Sequence, residues 1–188
     1  MGDAQLFYQV CGAGIVFILA ISIDLSTEKI PNWLTFSALF CGFAINTYFA
    51  QLNGVLVSFL GFALAFAILF PTFMLKILGA GDIKLMMGIG AFMGPQLLFT
   101  SVIYGIIAGA LTSIILVISK TGLQGLYQTF KRYKDCIVLG HYFKPEANEA
   151  AGQRVAYAPA LGIGWLFACI LNPHINATFS SFSENLFS

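Results

Sequence analysis

The sequence predicts an all-α fold: a polytopic membrane helical bundle of about six transmembrane helices, with an amphipathic helix on the cytoplasmic side. Three observations predict it. Of the 188 residues, 59% are apolar and only 9% charged, against roughly 25% charged in a soluble domain. Charge-free stretches run over 4–23, 32–75, 85–119 and 155–183. Once these are divided into spans, every lysine and arginine falls on one side. The same composition excludes soluble globular, disordered, nucleic-acid-binding and disulfide-scaffold classes, and a net charge of +1 implies no polyanionic partner.

Each element follows in order. A span needs ~20 apolar residues to cross ~30 Å of hydrocarbon. The first is expected near 4–24. It has no basic segment before it and ends in Asp24 instead of a small-residue cleavage site, so it reads as a retained helix, not a signal peptide. Ile30-Pro31-Asn32 starts the second sharply, because proline suits a first helical turn. Gln51-Leu52-Asn53-Gly54 then splits the second stretch into helices near 32–50 and 54–75. Gly94-Pro95-Gln96 splits the third into 83–94 and 95–119, and the last stretch supplies 155–171 and a polar tail. The 12-residue segment 83–94 reaches only about 18 Å, so it is expected to be short or to sit in a thinned, water-accessible region.

The basic residues decide whether that short segment crosses. With six spans, one set of loops holds Lys29, Lys76, Lys84, Lys120, Lys131, Arg132, Lys134, Lys144 and Arg154, which is all nine. The positive-inside rule puts these loops in the cytoplasm and both termini outside. The chain is thus read as one membrane domain, 1–188, with a cytoplasmic loop at 120–154. Within that loop Leu123, Leu126, Tyr127, Phe130 and Ile137 recur at helical spacing beside Lys131, Arg132 and Lys134. A helix lying on anionic lipid is the plain reading, and a substrate-guiding role the sharper one. Pro145 to Gly152 reads as a flexible connector. Cys11, Cys41, Cys136 and Cys169 are scattered, without a C-x-x-C pair, and imply neither metal nor disulfide. The sequon Asn176-Ala177-Thr178 is taken as coincidence.

Two acids sit against the spans: Asp24 ends the first, and Asp82 opens the fourth. Both fall at the same cytoplasmic boundary. Two carboxyls brought to one half-desolvated place share a proton, which suits activation of water for attack on an amide. The bland alternatives are an N-cap role for Asp82 and a pairing of Asp24 with Lys29. A rival from another class is a small transporter or channel component using the two aspartates as a cation or proton site. Gly79 and Gly81, just before Asp82, allow an unusual backbone and close approach by another chain. Lys84 is either a positive-inside anchor or a local charge that stabilises the ionised partner.

Asp24-Leu-Ser-Thr-Glu-Lys-Ile-Pro31-Asn32-Trp-Leu-Thr35, followed by Gly79-Ala-Gly-Asp82-Ile-Lys84-Leu, resembles the type IV prepilin peptidases, GxGD-type aspartic proteases of the inner membrane. The resemblance implies that Asp24 and Asp82 are the catalytic pair and that Pro31, Asn32, Gly79, Gly81 and Lys84 support the site. It implies no cofactor, and a prepilin leader cut on the cytoplasmic side. The larger bifunctional members carry a cysteine-tetrad segment and also N-methylate the new terminus. With few residues before the first span and no such tetrad, the chain resembles the short protease-only members serving Flp-type (tight-adherence) pili. An archaeal preflagellin-type peptidase is the nearest alternative. Pro159-Ala160-Leu161 spells the PAL motif of presenilin-like proteases, but those have nine helices and a tyrosine where this chain has Ile23. The match is taken as coincidence, with Tyr157 to Gly164 expected to pack the last helix near the site.

Overall fold

The computed structural model describes residues 2–27, 29–74, 78–139 and 157–187, and among them every regular element is a helix. The first, α1, is Asp3–Thr27. Its buried residues Gln5, Gln9, Ala13, Val16, Phe17, Ala20 and Asp24 recur every three or four positions and form one stripe. Ile15, Ile18, Leu19 and Leu25 stand exposed on the other faces. In lipid that exposure carries no penalty, so small and polar residues can take the packed face.

The second element, α2, is Asn32–Met74, 43 residues. A straight helix of that length would run about 65 Å, twice the hydrocarbon thickness. It does not run straight. Gln51 has φ 50 and ψ −130, and the Asn46 Nδ2 donates to Ser58 Oγ at 2.8 Å. Twelve residues of straight helix would hold those two groups ~18 Å apart. The chain therefore doubles back, inside the segment that the sequence marks for a turn, and resumes at Leu52, two residues earlier than expected.

The third, α3, is Ala80–Leu139, broken at Gly94, which has φ 72. Only glycine adopts that conformation without strain. Pro95 follows and has no N–H to offer the Ala91 carbonyl. Side chains of α2 take its place: Asn46 Nδ2 and Ser58 Oγ each donate to the Ala91 oxygen at 2.8 Å, and Asn46 Nδ2 also reaches the Phe92 oxygen at 3.1 Å. Between Ile83 and Gly94 every residue except Lys84 and Met87 is buried. The short segment is the centre of the bundle, surrounded by protein instead of lipid. Beyond Gly94 the helix continues through Leu139 with no positive φ among the described residues, so no break separates a span ending near 119 from the helix expected after it.

Residues Ala108–Val155 form a second compact unit, distinct from Met1–Ile107 with Ala156–Ser188. In its described part, 108–139, Tyr127, Lys131 and Lys134 are exposed. The side chains of Leu123, Leu126, Phe130 and Ile137, and the connector Pro145 to Gly152, lie outside the described residues.

After 171 the expected polar tail is instead a helix. The fourth element, α4, is Ala158–Ile170, and the fifth, α5, is Pro173–Phe187, set at 75° to it. The signal was in the sequence: Asn172 accepts from the His174 N–H at 3.0 Å through its side chain, and Pro173 supplies the first helical residue. Asn176 closes the bend by donating to the Ile170 carbonyl at 2.8 Å, and Thr178 is buried. Phe7 of α1 stacks on Phe182 at 4.4 Å. Asn172→Ala is expected to cost about 1 kcal/mol of stability through the lost cap, readable as a lowered thermal midpoint in detergent. The helices α1, α2 and α3 are each long and apolar enough to cross a membrane, and α4 with α5 makes a fourth candidate if counted as one broken span.

Candidate active site

Asp24 lies on the buried stripe of α1, one turn before its end, and is only 7% exposed. It faces protein because its neighbours along that stripe, Phe17 and Ala20, are themselves packed inside. The Gly162 of α4 packs against Ile21 and Phe17 on this same last stretch of α1, with Ala160 and Leu161 buried beside it. The last long apolar segment thus backs the end of α1 that carries Asp24.

Asp82 is the third residue of α3. It is not the N-cap. Its Oδ2 accepts from the Gly79 backbone N–H at 3.2 Å, while the Ile83 N–H donates to the Gly79 carbonyl at 3.3 Å. This is the reach-back half of a capping box, with a glycine where the capping hydroxyl would be. The link that follows α1 packs on the start of α3, with Ile30 against Gly81, so the tertiary fold brings the ends of the chain segments that carry Asp24 and Asp82 to one end of the bundle.

The supporting residues gather around them. A Cβ on Gly81 would stand 3.2 Å from the Ile30 Cβ, so the absence of a side chain is what lets the α1–α2 connection seat there. The Pro31 carbonyl accepts from Leu34 N–H at 3.2 Å and opens α2. Lys84 Nζ donates to Asn32 Oδ1 at 2.9 Å, joining two motifs that lie 52 residues apart. Both partners are exposed at the rim. Beside Lys84 lies an apolar groove of about 200 Å³, lined by Thr35, Phe36, Leu39, Phe62, Met87 and Gly88. Glu28, within the first motif, lies outside the described residues.

Sequence reasoning missed the polar cluster at the other end of α1. Gln5 Nε2 donates to Asn46 Oδ1 at 3.1 Å, and Gln9 Nε2 donates to the same oxygen. Pro95 was the available signal, since a proline inside a buried helix leaves a carbonyl that something must satisfy. Among the described residues no group of three or more His, Cys, Asp or Glu is placed to hold a metal, and Cys11, Cys41 and Cys169 are free thiols.

Comparison with known proteins bears on this geometry. Residues 11–114 match the model of the type IV leader peptidase family, a stretch that contains both Asp24 and Asp82. A prepilin leader peptidase/N-methyltransferase from Pectobacterium carotovorum subsp. carotovorum is 28% identical over 163 residues, 83% of this chain and 49% of the relative. The chain therefore spans about half the length of that curated relative. No solved structure matches. With more than half of its length inside the family match, and with both acids in that half, the chain belongs to the type IV leader peptidase family, a family of proteases.

Proposed function

We propose that this protein is an aspartic endopeptidase that removes the leader from type IV prepilins of the Flp type at the cytoplasmic face of the inner membrane. The observation that carries the reading is that the segment following Asp24 meets the segment holding Asp82 at one end of a buried bundle, Ile30 against Gly81 and Asn32 bonded to Lys84. One carboxylate takes a proton from water as the water oxygen attacks the scissile carbonyl carbon. The other, protonated, donates a hydrogen bond to the carbonyl oxygen and helps stabilise the tetrahedral intermediate. The first group, now protonated, gives its proton to the leaving amine as the C–N bond breaks. Both acids must come within hydrogen-bond reach of the reacting atoms, directly or through one water. Gly79, exposed next to Asp82, leaves room for an extended leader, Gly81 seats Ile30, and Lys84 with Asn32 holds the two motifs together at the rim. No metal or organic cofactor enters this chemistry.

In this reading the chain crosses the membrane six times, near 4–24, 32–50, 54–75, 83–94, 95–119 and 155–171. Both termini are outside and the 120–154 loop is inside. The breaks at Gln51 and Gly94 support dividing α2 and α3 into separate crossings. The all-cytoplasmic placement of basic residues supports the orientation. A substrate with a short polar leader in the cytoplasm and an apolar helix in the bilayer would present its junction at the depth of the two acids.

The test is cleavage of a small Flp-type prepilin by the purified chain in lipid vesicles, followed by mass spectrometry of the product. The expected product is a mature pilin with a free, unmethylated N-terminus. A methyl increment when a methyl donor is added would overturn the protease-only assignment. Intact prepilin after incubation with properly inserted enzyme would overturn the reading itself.

A further inference from the structure

The buried polar cluster around Asn46 joins the helices that carry the two aspartates. Asn46 is 0% exposed and Ser58 is 0% exposed, while Gln9 is 1% exposed. From α1, Gln5 and Gln9 both donate to the Asn46 side-chain oxygen. The two amide hydrogens of Asn46 are shared among Ser58, across the turn of α2, and the Ala91 and Phe92 carbonyls of α3. One side chain thus uses both ends of its amide to join α1, both halves of α2, and the break in α3. The contact on α3 has a local cause, because Pro95 leaves the Ala91 carbonyl without its helical donor.

We propose that Asn46 is a positioning residue: it fixes the axial register of α1 against α3 and thereby sets Asp24 opposite Asp82. The proposal rests on the leader-peptidase reading and deepens it. In lipid, apolar side chains gain nothing by choosing a helix over the bilayer, so non-directional packing resists axial sliding weakly. Hydrogen bonds between helices are directional and lock register. Gln9 lies 15 residues before Asp24 on α1, about 22 Å along the axis, and Ala91 lies nine residues after Asp82 on α3, about 14 Å. Helices are stiff over such distances, so a slip at Asn46 reaches the carboxyls nearly undiminished. The Phe92 ring, seated on Gly12 of α1, packs at the same level and depends on the same register.

A displacement of 1 Å in a catalytic group costs on the order of 10²-fold in rate. Asn46→Leu, which fills the site but removes the amide, is therefore expected to lower kcat at least about 10-fold while KM stays within about twofold. Ser58→Ala leaves Asn46 as the remaining donor to Ala91 and is expected to change kcat less than about twofold. A second readout does not depend on catalysis. Nitroxide labels at Ser26 and Ala80, both exposed, placed on the full chain freed of its native cysteines, report the α1–α3 separation beside the site. The expected result is a narrow distance distribution that broadens or shifts in Asn46→Leu. If Asn46→Leu fails to insert, Gln9→Leu is expected to shift the distribution in the same direction, by less. Distances unchanged from wild type in the inserted variant, with only the thermal midpoint lowered, would overturn the proposal. Should the wild-type chain cleave no prepilin, the function fails, and the label distances still decide whether Asn46 sets the register.

Discussion

Asp24→Asn and Asp82→Asn are each expected to abolish leader removal while leaving a folded, inserted protein. General acid–base catalysis is worth about 10²–10⁴ in rate, and polarising the scissile carbonyl about another 10²–10³. In the proposed mechanism the two carboxyls act as a unit, so removing either is expected to forfeit most of both contributions. The substitution is nearly isosteric, and at Asp82 it separates two roles. An asparagine oxygen still accepts from the Gly79 N–H that Asp82 Oδ2 holds at 3.2 Å, so the cap survives and only the proton chemistry is lost. The residual cost is the weaker interaction with the helix dipole, about 0.3–1 kcal/mol. Asp3→Asn, an exposed acid at the other end of α1, serves as the control and is expected to leave cleavage unchanged. Coexpression with a Flp-type prepilin, with leader removal read as a gel shift, decides the matter. Full processing by either site variant would refute the shared-proton mechanism, and misfolding of Asp82→Asn would mean that its capping role dominates.

Gly61→Ala is expected to produce a large loss of stability for the addition of a single methyl in the core. A Cβ on Gly61 would overlap the Gly90 carbonyl oxygen and sit 2.7 Å from its carbon and 3.0 Å from the Gly94 Cα. Every obstructing atom is backbone, so no rotamer change relieves the overlap, and the two helices must separate. Overpacking of a close-packed interior typically costs about 1–3 kcal/mol, sometimes more. In a chain of this size each kcal/mol corresponds to about 2–4 °C in the midpoint, so a drop of several degrees in detergent is expected. Gly2→Ala, with nothing within 4 Å of the new methyl, is expected to leave the midpoint unchanged. Equal midpoints for the two variants would show that the Gly61–Gly90 approach does not bear on stability. Because Gly90 lies one turn before the break at Gly94, activity is expected to fall along with stability.

Much of the candidate site was legible in the sequence because carboxylates are expensive in a membrane. Asp24 and Asp82 stood out as the two acids at span ends. The same physics, few charges in an apolar chain, made the all-helical fold and the breaks near Gln51 and Gly94 readable from composition and turn residues. The tail after 171 was misread because Asn172-Pro173 signals a helix start only if the residues beyond it find a packing face. Phe179 and Phe182 find one on Phe7 of α1. Asn46 was invisible for a related reason: a lone asparagine in an apolar run announces a buried polar group but not its partners.

Residue chemistry along the chain was enough to determine that it is helical, lies in a membrane, and carries two acids at the ends of spans. Hydrophobic length, proline and glycine act locally, within a turn or two of where they stand. The tertiary structure alone decided that the short segment 83–94 is the centre of the bundle and that Ile30 fills the space left by Gly81. It alone decided that Lys84 reaches Asn32 across 52 residues, and that one amide at Asn46 ties α1 to the break in α3. These depend on which helices become neighbours, and in lipid that choice rests on close backbone approach and directional hydrogen bonds, neither of which has a periodicity to read.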